Sequence, residues 1–124
     1  MKKHQINVFG GKLKKCSVDP ITGFNRNGCC ESIKNDYGQH IICAVINQKF
    51  LDFQFANGND LITPLTKFDF PGLVPGNRWC VCANRWLEAY KYSCATSLIL
   101  SSTHINVLDI IDFEILKKFA LDLN

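Results

Sequence analysis

No apolar run in the sequence approaches the ~20 residues needed to cross a bilayer, so a membrane partner is not expected. The opening "MKKHQINVFGGKLKK" carries lysines but no long apolar core and no small-residue cleavage site, which argues against a secretory signal. Repeats, low-complexity tracts and linker-like stretches are absent; the expectation is a single globular domain over 1–124, with 1–4 as a loose N-terminal tail. A strong charge of one sign is also missing, the net being +3. Lys2, Lys3, Lys12, Lys14 and Lys15 cluster near the start, but only Phe9 interleaves with them. They read as a solvated face, and nucleic acid is not an expected partner. Phosphate loops, nucleophile elbows, HExxH zinc motifs and dinucleotide fingerprints do not occur.

What the chain does have is cysteine. Seven occur in 124 residues, at 16, 29, 30, 43, 80, 82 and 94, against a globular balance of 47% apolar and 20% charged residues. An odd number without a secretory signal points to a reducing, cytoplasmic setting, with the cysteines as thiols, thiolates or metal ligands rather than disulfides.

The local pattern predicts a small α+β domain, three to four strands packed by about three helices. "QINVF" reads as a short strand ended by Gly10-Gly11. "CSVDPITGFNRNGCC" is rich in turns, with Asp19-Pro20 suited to a type I turn and Asn27-Gly28 to another. "HIICAVI" has the apolar continuity of a central strand. Asn47 then suits the cap of a helix over about 48–57, with Leu51 and Phe55 on one face and Gly58 ending it. Turn-rich chain follows, with Pro71-Gly72 and Pro75-Gly76 each fitting a type II turn. Asn77 stands as the cap of a helix beginning at Arg78, whose apolar stripe is Trp79, Ala83, Trp86, Leu87 and Tyr90. "TSLILSS" reads as a strand, and the tail as a helix capped by Asp112 with Phe113, Leu116 and Ala120 inward.

The densest chemistry lies in "RWCVCANRW", residues 78–86. On a helix, Cys82 would fall between Arg78 and Arg85, and Cys80 would sit in the first turn; adjacent guanidinium groups and the positive helix end both favour thiolate. The competing view makes Cys80 a small core hydrophobe and Cys82 a bystander, with the arginines in salt bridges. Cys29 and Cys30 sit on a constrained turn; they could form a vicinal disulfide, or one could be the exchange partner of Cys80 or Cys82. Cys43 falls in the central strand pattern and reads as core, and Cys94 has no assigned role. A structural zinc is not expected, because neither Cys29-Cys30 nor Cys80-x-Cys82 has the usual ligand spacing, although one ligand each from Cys16, Cys30 and Cys80 stays open. No cofactor is assigned. His40 and His104 are candidate proton carriers, with Asp60 either orienting a histidine or bonding its own turn.

The segments "NVFGGKLKKCSVDPITGFNRNGCC", "GQHIICAVINQKFLDFQFANGNDLITP", "FDFPGLVPGNRWCVCANRW" and "STH…DFEILKKFA" together resemble the family Domain of Unknown Function 2237, small single-domain proteins found mainly in bacteria. The resemblance spans about Asn7 to Ala120 and implies a compact mixed α/β protein; it brings no activity, substrate or cofactor. Cys16, Cys29, Cys30, Cys80, Cys82, Arg78 and Arg85 lie within the matching pieces, and Cys94 does not.

The functional expectation is a thiol-centred site, redox-active or thiolate-dependent. Its reactive candidates are Cys80, Cys82, Cys30 and Cys29, and its binding candidates Arg78, Arg85, Trp79, Cys16, His40 and His104. The alternatives are a binding module for a small anion or acidic protein, with purely structural cysteines, and a cysteine-ligated metal site. Whether the chain is an enzyme or a homo-oligomer is left open.

Overall fold

A computed structural model describes residues 5–123. The tail expected at 1–4 lies outside the described residues. The chain forms an α+β fold around a three-stranded antiparallel sheet ordered β2-β1-β3, with β1 at Ile42–Val45, β2 at Arg78–Val81 and β3 at Ser97–Leu98. Three α-helices pack with it: α1 at Gln48–Ala56, α2 at Ala83–Lys91 and α3 at Phe113–Lys117. Among the described residues no helix is long and apolar enough to cross a membrane.

β1 is the central strand that the "HIICAVI" pattern predicts, and its residues are almost entirely buried. The chain turns directly into α1, where the Asn47 side chain accepts from the Phe50 N–H at 2.8 Å. Gly58, at φ +84°, follows the helix in the left-handed conformation that closes it. The inward face differs from expectation: Phe50, Leu51 and Gln54 are buried, whereas Phe55 is exposed. Buried Gln54 is tolerated because its amide donates to the Arg85 carbonyl and accepts from Asn59. The Val74–Asn77 turn, with Gly76 at φ +97° and an Asn77 N–H to Val74 carbonyl bond, is the type II turn its Pro-Gly pair predicts.

The main departure is at residues 78–82. Arg78–Val81 is a strand, and the helix begins only at Ala83 with Cys82 as its N-cap residue. Asn77 caps no helix; its side chain accepts from the Val74 N–H. The physical reason is pairing with β1, in register Ile42 with Val81, Cys43 with Cys80, Ala44 with Trp79 and Val45 with Arg78. Trp79 and Val81 then enter the main apolar core while Cys80 points the other way. Ala83, Trp86 and Ala89 carry the buried face of α2. The helical stripe inferred from Trp79 onward therefore joined a strand tryptophan to a genuine helix face. Trp86 anchors that face, fully buried, with its indole N–H on the Thr96 hydroxyl at 3.2 Å and its ring edge-on to Phe119.

Three smaller expectations also change. "QINVF" makes only isolated bridges, Ile6 with Lys12 and Asn7 with His104, because the Asn7 side chain takes the N–H groups of Phe9 and Gly11 and curls the chain. "TSLILSS" stays extended only at Ser97–Leu98 before a 3₁₀ turn at Leu100–Ser102, where Asp122 accepts from the N–H groups of Leu100 and Ser101. The Asp19–Pro20 peptide is cis, in place of a type I turn. Asp112 occupies the cap position of α3 without a side-chain cap bond, and Leu116 is its buried residue.

The outer N–H groups of the two paired cysteines go to hydroxyls: Cys43 to Thr103 at 3.0 Å and Cys80 to Thr22 at 2.9 Å. Both threonines are buried. Replacing Thr22 or Thr103 by Val leaves a buried N–H without a partner and should cost about 1–3 kcal/mol in urea unfolding, whereas an exposed control such as Thr66→Val should cost little.

Burial opposes ionisation of Asp122, but the hydrogen bonds from Ser101 and Leu100 outweigh it and hold its carboxyl below the ordinary range. A lowered folded-state pKa stabilises above the unfolded value and is lost as pH falls through the folded one. The stability advantage of wild type over Asp122→Asn should therefore be full near neutrality and shrink below about pH 4 in pH-dependent urea melts.

Candidate functional site

Four of the cysteines are joined as disulfides, Cys16–Cys43 and Cys30–Cys80, which corrects the expectation of thiols, thiolates or metal ligands at these four positions. The pairing follows from the sheet. The N–H groups of Cys43 and Cys80 turn outward to threonines, so this is a non-hydrogen-bonded antiparallel pair, the kind whose side chains come closest. The 15–30 segment then lays Cys16 and Cys30 over that face, held by Cys16 N–H to Gly28 carbonyl at 2.7 Å. All four are buried in one cluster with Ile99. Cys43 is thus more than core packing. Cys80 and Cys30, sealed in a disulfide, are not open thiols, and Cys16 binds another cysteine instead of a ligand.

Cys29, Cys82 and Cys94 take no part in a disulfide. No vicinal Cys29–Cys30 bond forms: Cys30 turns inward and Cys29 lies half-buried outside the cluster. Cys94 faces the Tyr92 carbonyl on the far side of α2.

Cys82 is placed differently. It borders a cavity of about 720 Å³ whose walls include Trp79, Cys80, Arg85, His40, Arg26 and Asp69. Cys82 keeps an extended backbone, φ −62° and ψ 128°, so it continues the strand's alternation on the side of Cys80. It also stands at the N-terminus of the nine-residue α2, the positive end of the helix.

His40 reaches the same cavity from the chain just before β1. The Ala83 N–H, next to Cys82, donates to the carbonyl of Gln39, next to His40, at 3.1 Å, and so ties the two segments together. The ring is oriented by Asp36, whose carboxylate is 1% exposed. Asp36 accepts from the His40 N–H at 2.8 Å and meets its Nδ1 at 2.7 Å. A carboxylate offers no proton, so in the neutral ring Nδ1 carries the hydrogen and Nε2 keeps its lone pair. Gly38 makes room for this: a Cβ there would fall 2.6 Å from the His40 ring. Asp60 instead accepts from the N–H groups of Ile62 and Thr63 in its own turn, and a bond from the Thr63 side chain, followed by these backbone bonds, lowers its carboxyl pKa.

Arg26 forms another wall. Its guanidinium lies 5.0 Å from the centre of the Trp79 ring and donates to the carbonyls of Gly23 and Phe68 at 2.6 and 2.8 Å. Its Nε is buried without a partner. Burial lowers the Arg26 pKa below the ordinary guanidinium value, opposed by Asp69.

The structure thus brings Cys82, Cys80, Trp79, Arg85 and His40 to one cavity and leaves the other candidates apart. Arg78 is exposed at the start of β2. Arg85 donates to the Asn57 carbonyl and pairs with Glu88 at 3.6 Å, so it does not flank Cys82 as a free cation. His104 is buried, its Nδ1 accepting from the Asn106 N–H at the start of a 3₁₀ turn. Asp36, Arg26 and Gly38 are the site residues that sequence reading missed. Asp36 and His40 are four apart, but with Gly38 between them that spacing carries no helical signal.

The model of the family described as "Uncharacterized protein conserved in bacteria (DUF2237)" matches residues 6–120. The chain belongs to the DUF2237 family. The match takes in every wall of the cavity and both disulfides, so the whole constellation lies inside the DUF2237 unit. No curated protein matches the chain.

Substituting Gly38 by Ala should push the His40 ring off Asp36 while the fold survives, since the loop is partly exposed. Histidine side-chain NMR should show a slowly exchanging Nδ1 proton in wild type and its loss in the variant. An unchanged proton signal would contradict the placement.

Proposed function

We propose that the DUF2237 chain performs covalent thiol chemistry on a small molecule, with Cys82 as nucleophile and His40 as the group that takes its proton. The observation that supports this best is the buried Asp36 carboxylate holding His40 at the rim of the cavity that Cys82 borders. In that arrangement Nε2 receives the thiol proton, the sulfur adds to a carbonyl carbon of the substrate as the C=O π pair moves onto its oxygen, and Asp36 keeps the ring in the productive tautomer. Trp79 offers a flat apolar wall, and the Arg26 guanidinium stacked beside it supplies positive charge. A substrate bearing a carboxylate or carbonyl group fits both. In the cytoplasm, the compartment expected from the odd thiol count, Cys82 would remain reduced.

The test is alkylation of the native chain by iodoacetamide, with sites resolved by mass spectrometry. Cys82 should react on the order of tenfold faster than Cys29 or Cys94, and His40→Ala should remove most of that advantage in a chain that still folds by circular dichroism. Equal rates at all three thiols, or a Cys82 rate indifferent to His40, would refute the proposal.

A further inference from the structure

The buried sulfur cluster lies beneath the cavity, and the proposed thiol chemistry makes no necessary use of it. The Sγ atoms of Cys16, Cys30 and Cys80 all lie within 4.8 Å of one another, and Cys43 is bonded to Cys16. Three sulfurs therefore meet, and that of Cys43 lies one S–S bond from the Cys16 sulfur; separate segments of the chain bring them together. A disulfide staple needs two sulfurs, and two staples could lie anywhere in the fold. Their convergence is what a four-coordinate metal requires. A tetrahedral zinc with Zn–S bonds of about 2.3 Å sets its sulfurs about 3.8 Å apart, a spacing the cluster reaches by small side-chain rotations once the S–S bonds open.

The surroundings suit a structural ion. All four cysteines are at most 3% exposed, which leaves no open coordination position for solvent. Their backbone supports are independent of the S–S bonds: Thr103 and Thr22 hold the N–H groups of Cys43 and Cys80, and the Gly28 carbonyl holds that of Cys16. Three of the four cysteine positions are thus held by bonds other than the disulfides.

We infer that the reduced chain binds one soft divalent cation, zinc, through Cys16, Cys30, Cys43 and Cys80, and that the two disulfides are the oxidised, metal-free form of the same site. Reduction by two equivalents of a dithiol supplies four electrons and four protons, opens both S–S bonds and leaves the reductant as its own disulfide. Zinc binding then displaces the four thiol protons to solvent. In a reducing compartment the metal form is favoured, which reconciles an odd cysteine count with a stapled fold.

The experiment uses the full chain, reduced under argon, freed of reductant and titrated with Co²⁺ and then Zn²⁺. The expected result is one Co²⁺ per chain, with the intense visible d–d bands of a tetrahedral thiolate site, bleached by one equivalent of Zn²⁺. Alkylation of the zinc form should spare Cys16, Cys30, Cys43 and Cys80 and label Cys29, Cys82 and Cys94. The Cys29→Ser, Cys94→Ser double variant should keep the full spectrum, and Cys43→Ser should lose it. If the reduced chain unfolds, recovery of its circular dichroism on adding zinc supports the site equally. Absent bands, protection of a different set of thiols, or an unfolded reduced chain that zinc does not restore would each overturn the inference.

Discussion

The site depends on one cross-strand contact, the pairing of Cys43 on β1 with Cys80 on β2. Because their N–H groups turn outward to Thr103 and Thr22, the two side chains stand at the close spacing of a non-hydrogen-bonded pair, on the face opposite Trp79 and Val81. That single register fixes two layers. One face of β2 feeds the apolar core through Trp79 and Val81. The other collects the sulfurs and, two residues on, delivers Cys82 to the cavity. A one-residue slip would exchange the faces and put tryptophan where the sulfurs are.

The irregular 15–40 segment is held in place by the same pair. Cys16 and Cys30 anchor it by covalent bonds that close loops with sequence separations of 27 and 50 residues. In the chain-entropy description such closures are worth about 3–4 kcal/mol each, comparable with the ordering cost of a few loop residues. With the segment fixed, Arg26 reaches Trp79 and Asp36 is buried beneath His40. The cavity is thus walled on one side by loops that carry little regular structure and on the other by the β2–α2 junction. Its polar groups are positioned by specific hydrogen bonds, and this explains why so little of it follows from periodicity.

Much of the frame was nevertheless readable from residue pattern. The apolar continuity of 41–46, the Asn47 cap, the Gly58 stop and the Pro75-Gly76 turn each have a local cause and each stand where that cause puts them. The strand at 78–81 was not readable, because Trp79, Ala83 and Trp86 fall at helical spacing whether or not Trp79 belongs to the helix. Only partner strand β1 decides the matter. The site was legible in part: Cys82, Trp79, Arg85 and His40 were singled out, but their meeting depends on tertiary contacts. Asp36 and Arg26 lie in turn-rich chain where no period marks them, and the disulfide partners come from segments far apart in sequence. A single sequence carries no signal that pairs them.

The central claim is geometric: the Cys43–Cys80 register gathers four sulfurs and leaves Cys82 outside them, open to the cavity. Its most direct test is linkage mapping on the chain oxidised in the presence of a chelator, with free thiols labelled under denaturing conditions before digestion. Cross-linked peptides joining Cys16 to Cys43 and Cys30 to Cys80, with label confined to Cys29, Cys82 and Cys94, are the predicted result. A linkage that includes Cys82, or label on Cys43 or Cys80, would contradict it.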